Sequence, residues 1–160
     1  MKQGERIRKL DLGGTACYVD PNAISISLDG SNSEDPVTPL IVGDYNRAPF
    51  PDEAFNEAFG SCALEDDIDF RELYRIMKHG SRTTVTACGE FYLTGIRDPD
   101  DERGLNDTFE EFIQFVSETS IAAAAAGFRV IVEERETFRN FSEEPTAWTI
   151  YTPMFRLYKD

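Results

Sequence analysis

Apolar and polar positions along this chain follow two periods in turn. Residues 6–12 (RIRKLDL) alternate charged and apolar side chains, as a half-buried strand does, and residues 24–29 (ISISLD) alternate again. Leu40, Ile41 and Val42 form an apolar run too short for a helix, and Gly43 and Asp44 close it, as expected of a buried strand running into a polar loop. Residues 55–64 are mostly apolar and give way to Glu65, Asp66 and Asp67. The period then changes. Phe70, Leu73, Tyr74 and Met77 recur at spacings of three and four and share one face of a helix. Gly80 is the expected end of that helix, and residues 82–88 (RTTVTAC) have the Thr and Val content of a strand.

Further on, Asn106 or Asp107 can cap a long helix whose first turn carries Glu110 and Glu111, favourable for its dipole. Phe109, Phe112, Ile113 and Val116 are its expected apolar stripe, residues 121–126 (IAAAAA) a small-residue surface for close packing, and Gly127 its stop. Residues 128–133 (FRVIVE) and 146–158 (TAWTIYTPMFRLY) read as the last two strands, with Pro153 implying a bulge or an edge position. Residues 31–38 read as a surface loop, and residues 89–105 mix Phe91 and Tyr92 with a charged turn, either a substrate-facing loop or a solvated one. Strands alternating with helices predict a mostly parallel α/β sheet, which binds ligands outside the carboxyl ends of its strands. Gly43, Asp44 and Tyr45 fall at one such end, and residues 62–66 at another.

The length of 160 residues predicts one domain over residues 1–160, large enough to bury roughly two-thirds of its unfolded surface. No apolar run reaches the length of a membrane span, and MKQGERIRKLDL lacks the apolar core of a signal peptide, so the expectation is a cytoplasmic protein without a membrane partner. Cys17, Cys62 and Cys88 are odd in number and lack CxxC spacing, which suggests neither a disulfide framework nor a zinc site. His79, the single histidine, reads as a surface-turn residue, and no metal site is expected. The net charge of −14 and pI near 4.4 repel phosphate backbones and argue against a nucleic-acid partner. Of 16 basic residues only Lys2, Lys9, Lys78 and Lys159 are lysines; lysine-poor, acid-rich composition resembles that of proteins from salt-loving organisms.

The run GDYNRAPFPDEAFNEAFGSCALED, followed by FRELYRIMKHGSRTTV, resembles the middle of class I S-adenosylmethionine-dependent methyltransferases. Their members commonly read GD, LPF, FD and LEH in that order, then RVLKPGG and a strand. The resemblance implies a Rossmann-like methyltransferase fold, a mostly parallel seven-stranded sheet with an antiparallel last strand, and S-adenosyl-L-methionine as cofactor. KLDLGG looks like a shortened form of the family's glycine-rich first turn, which puts Asp11, Gly13 and Gly14 at the methionine part of the cofactor. Asp29, with Gly30 after it, would accept hydrogen bonds from the ribose hydroxyls, a task suited to an ionised carboxylate. Asp44 would accept from the adenine amino group, Tyr45 would cover the ring, and residues 61–65, Ser61 and Leu64 among them, would lie beside the sulfonium.

Two departures stand out. Only residues 13–23 join the first two strands, close to the minimum for a parallel crossover, and Pro21 argues against helix there, so the first helix is shortened or missing. An open site, weaker binding or completion by another subunit in a homo-oligomer would follow. SCALED also stands where base amino-methyltransferases carry (D/N)PP(Y/F), and Asp66 replaces the histidine of LEH. Glu65 or Asp66 could take a proton from the acceptor if burial raised its pKa, or could simply cap the next helix. The reading is a methyltransferase acting on a small-molecule or protein acceptor. Its rivals are a cofactor-binding module without turnover and a structural module with the same fold.

Overall fold

The computed structural model describes residues 8–12, 23–27, 40–60, 68–86, 91–94, 109–139 and 149–160. Strands β1 (Lys9–Leu12), β2 (Ala23–Ser27), β3 (Leu40–Val42) and β4 (Phe55–Gly60) are followed by helix α1 (Phe70–Ile76) and strand β5 (Met77–Thr86). Strand β6 (Phe91–Thr94), helix α2 (Phe109–Ala125) and strands β7 (Arg129–Arg139) and β8 (Thr149–Lys159) complete the order. β1 pairs parallel with β2 and β4, β2 with β3, and β4 with β5. β8 alone runs the other way, with β7 along one edge and β5 then β6 along the other. The seven expected strands are present in the expected sense. β6 is an eighth, from a stretch read as loop, and it extends the β5 side of the β8 ladder.

Pro153 lies neither on an edge strand nor at a register shift. On the β5 and β6 edge, pairing stops at Met154 and resumes at Tyr151, so the proline falls where the neighbour changes and its missing N–H breaks no rung there. The first crossover runs from Leu12 to Ala23, and the form of residues 13–22 lies outside the described residues.

Registry places Leu10, Leu12, Ile26, Ala58, Val85, Phe155 and Leu157 on one face of the sheet, where α1 and α2 cover them. The opposite face carries partly exposed ion pairs, Glu57 with Lys9 and Arg82, and Glu133 with Arg156. α1 is shorter than its apolar spacing suggests. Met77 continues that spacing but turns extended, with ψ of 141°, and pairs with Phe55, so β5 starts there and Gly80 lies inside the strand at φ +75°. The N-cap is Asp69, whose carboxylate accepts from the Arg71 and Glu72 amides; Glu65 and Asp66 lie outside the described residues. Lys159, buried on β8, donates to the carbonyls of Tyr74 and Met77 at the other end of α1.

Of the expected stripe on α2, Val116 packs on the core and Ile113 departs. Ile113 is 47% and Ile121 66% exposed, whereas Ala123 is fully buried and Phe115, Val116 and Ala126 pack on the core. Ala123 and Ala126 provide the close packing expected of residues 121–126, while Ala122, Ala124 and Ala125 are exposed. The Phe128 amide donates to Ala123 O and the Gly127 amide to Ala124 O, a Schellman ending with Gly127 at φ +111°. A Cβ on Gly127 would stand 2.9 Å from the Tyr74 ring, which packs edge-on to Phe128. Trp148 and the three cysteines lie outside the described residues. Among the described residues, no helix is long and apolar enough to cross a membrane.

Two substitutions test this packing. Gly127→Ala combines a left-handed backbone with a ring clash and should cost at least about 2 kcal/mol, lowering the melting temperature by roughly 4–8 °C. Gly80→Ala, with a positive φ but nothing within 4 Å, is the milder control. Thr83 is fully buried with a hydroxyl that has no hydrogen-bond partner among the described residues, so Thr83→Val should stabilise by about 1 kcal/mol in chemical denaturation.

Candidate active site at the carboxyl ends of the strands

The chain moves from β1 to β2 and β3 on one side, then crosses to β4 on the other side of β1. This reversal makes the carboxyl ends of β1 and β4 a topological switch point, the usual place for a ligand crevice in an open α/β sheet. Leu12, Ser27, Val42 and Gly60 are the last residues of the four strands.

Of the expected site residues, Asp11, Asp44 and Tyr45 are described. Gly13, Gly14, Asp29, Gly30, Ser61, Leu64, Glu65 and Asp66 lie outside the described residues. Asp11 is 7% exposed, on the sheet face opposite Leu10 and Leu12, and the Ser25 hydroxyl of β2 donates to its carboxylate at 3.0 Å. Burial pushes the Asp11 carboxyl up from its ordinary 3.8, and the Ser25 hydrogen bond offsets part of that rise.

Asp44 follows β3 directly and caps a 3-10 turn, Tyr45–Arg47, accepting from the Asn46 amide at 2.8 Å. Such a D-x-N turn is an Asx-type structure, in which the carboxylate substitutes for a backbone acceptor. Tyr45 is buried and belongs to the core cluster. Gly43 has no steric need to be glycine, since a Cβ there would meet only Ile26 Cδ1 at 3.9 Å. Of the neighbouring residues expected to pack, Phe55 is buried and meets Phe50 edge-on at 4.8 Å, while Pro49 is exposed. His79 is exposed near the start of β5, its Nδ1 3.0 Å from the Asp160 carbonyl.

Sequence reasoning missed what holds this turn. The crossover from β3 to β4 spans residues 43–54 and contains no α-helix among the described residues. Arg75 of α1 secures it. Its Nη1 donates to Phe50 O at 2.9 Å and to Asp52, and its Nη2 donates to Ala48 O at 3.3 Å. Glu72 takes the Nε and remaining Nη2 hydrogens, and hydrogen bonds to Glu72 and Asp52 hold the guanidinium pKa above its ordinary value. Asn46 Oδ1 accepts from the Asp69 amide at 2.7 Å and fastens the turn to the start of α1. Available signals were the D-x-x-E capping pattern of Asp69 and Glu72 and the D-x-N pattern of Asp44 and Asn46.

The arrangement presents a carboxylate in a fixed turn at the end of β3 and, in Asp11, a second one buried in β1. An ionised carboxylate offers acceptors only, as recognition of amino and hydroxyl groups on a nucleoside requires. As an acceptor, the Asp44 carboxylate fits the nucleoside end of S-adenosylmethionine. Asp11 yields a pH test. Its raised carboxyl means that the unfolded chain ionises first as pH rises above 3.8, so the charged group opposes folding at neutral pH. Asp11→Asn, which keeps an acceptor for Ser25, should raise the melting temperature at pH 7, with the gain closing as pH falls towards 3.8.

No protein-family model matches the sequence, and no curated protein matches it significantly. Solved structures do match the fold. The Haemonchus contortus phosphoethanolamine N-methyltransferase 2 in complex with S-adenosyl-L-methionine has a TM-score of 0.61 at 14% identity, covering 96% of this chain and 48% of that one. A Thermotoga maritima S-adenosylmethionine-dependent methyltransferase, a possible histamine N-methyltransferase, has a TM-score of 0.61 at 18% identity, covering 98% and 83%. The methyltransferase bound to the Trm112 activator from Haloferax volcanii gives 0.63 at 15% identity, covering 96% and 82%. The chain thus spans about half the length of the Haemonchus enzyme and most of the other two. At such identities the likeness speaks for the fold: this chain has the Rossmann-like fold of class I S-adenosylmethionine-dependent methyltransferases.

Proposed function

We propose that this protein binds S-adenosylmethionine at the carboxyl ends of β1 to β4 and transfers its methyl group to a small-molecule or protein acceptor. The observation that carries the reading is the Asp44 turn, fixed at the end of β3, two strands from β1 at the switch point of a methyltransferase-type sheet. Asp44 and Tyr45 take the adenine, Asp29 and Gly30 the ribose, Asp11, Gly13 and Gly14 the methionine part, and Ser61 and Leu64 the surroundings of the sulfonium. The bound cofactor supplies an electrophilic methyl group. Transfer forms a bond from the acceptor's lone pair to that carbon and leaves S-adenosylhomocysteine, and the acceptor's proton passes to Glu65, Asp66 or water. The protein's share is chiefly orientation of two reactants, which alone can lower a barrier by several kcal/mol, about 7–11 in the best cases.

The net charge of −14 favours a neutral or cationic acceptor over nucleic acid and suits a cytoplasm rich in salt. Named acceptors of structural neighbours, phosphoethanolamine compounds among them, lend support to a small molecule. Calorimetric titration with S-adenosylmethionine and S-adenosylhomocysteine, at low and at molar salt, is the test. Micromolar binding that Asp29→Ala or Asp44→Ala weakens tenfold or more, about 1.4 kcal/mol, is expected. Binding without methyl transfer to any acceptor in a screen would favour the cofactor-binding module, and no binding by the folded protein at either salt would overturn the reading.

A further inference from the structure

The turn after β3 meets the start of α1 at the Asn46 side chain, and its far end meets Arg75 of α1 at Ala48 O. Asn46 gives its backbone N–H to the Asp44 carboxylate and receives the Asp69 N–H on its own Oδ1. Asp69 in turn accepts the amides of Arg71 and Glu72, so an unbroken run of hydrogen bonds joins Asp44 to the first turn of α1. Arg75 holds the other end of the turn, on the carbonyl of Ala48, and Phe50 O beyond it. The Asp44 carboxylate is thus held by the Asn46 backbone N–H, and the Asn46 side chain ties that residue to Asp69.

We infer that Asn46 is a positioning residue for the nucleoside end of the cofactor. It makes the Asp44 turn and α1 a single opening unit, so that a ligand gripping Asp44 also steadies α1. This rests on the cofactor reading above. A turn already held in its bound geometry loses less freedom on binding, and the affinity gained depends on that restraint. Removal of the side-chain amide leaves the Asp69 N–H without that partner and loosens the start of the turn from α1, while Arg75 still holds Ala48 O. α1 has seven residues, too few to persist without tertiary support, so its opening should follow that of the turn.

Hydrogen exchange by mass spectrometry, with and without saturating S-adenosylhomocysteine, separates the possibilities. In ligand-free Asn46→Ala, residues 44–48 and 70–76 should exchange about tenfold faster together, while residues 154–158 of β8 stay as in wild type. Ligand should protect both segments in wild type but only the turn in the variant, with Kd raised about tenfold. Asn46→Asp keeps the acceptor but sets a third carboxylate between Asp44 and Asp69. It should bind weakly at low salt and return to within about threefold of wild type at 1 M salt, where the screening length is about 3 Å. Unchanged α1 exchange in ligand-free Asn46→Ala would overturn the coupling whether or not any ligand binds. Wild-type affinity in that variant would overturn the positioning role. A wild type that binds nothing would overturn the cofactor reading, and the ligand-free comparison would still decide the coupling.

Discussion

The Arg75 guanidinium is the restraint on which the candidate site depends. A parallel crossover usually contains a helix that satisfies its own backbone, but residues 43–54 have only a short 3-10 turn. Their carbonyls must be satisfied from elsewhere. All five N–H groups of Arg75 are engaged, on two carbonyls of the crossover, on Asp52 and twice on Glu72. Lysine could not reproduce this, since it has three donors and no planar fork. α1 thus acts less as a covering helix than as a brace, with Arg75 gripping the middle of the crossover and its N-terminus meeting Asn46.

Placement of polar groups divides the sheet. On the helix-covered face the buried polar residues Ser81, Thr83 and Lys159 sit among apolar neighbours, and Lys159 is balanced by two carbonyls and the Tyr74 ring at 4.4 Å. On the other face Asp11 is buried with Ser25, while Glu57, Arg82, Arg156 and Glu133 remain partly wet. Exposed pairs of this kind contribute little to stability. Asp11 is a different case, because a carboxylate held out of water in the first strand lowers stability near neutral pH.

Strands were legible in the sequence because alternation and β-branched content are local properties: residues 24–26, 40–42 and 82–86 all lie in strands where the pattern put them. Boundaries were less so. Met77 satisfied the helical spacing, yet pairing with Phe55 drew it into β5, and Gly80 proved a bend within a strand. On α2 the small-residue surface was legible, since Ala123 and Ala126 pack inward, and so was Val116, whereas Ile113 of the expected stripe is exposed. Within the candidate site, Asp44 was legible as both ligand and cap. The roles of Asn46 and Arg75 were not, since their partners lie 23 to 27 residues away and are largely backbone atoms that every sequence possesses.

The position of β8 bears on how this chain is made. Among the described residues β8 is the only neighbour of β6 and β7 in the sheet and one of the two neighbours of β5, yet it is made after all three. While a ribosome is still extending the chain, β1 to β5 can pair among themselves, but β7 has no ladder to join and the apolar face of β5 waits for Phe155 and Leu157. The nascent protein therefore carries an open strand edge until residues 149–159 emerge, and that interval is when a chaperone or an aggregate would meet it.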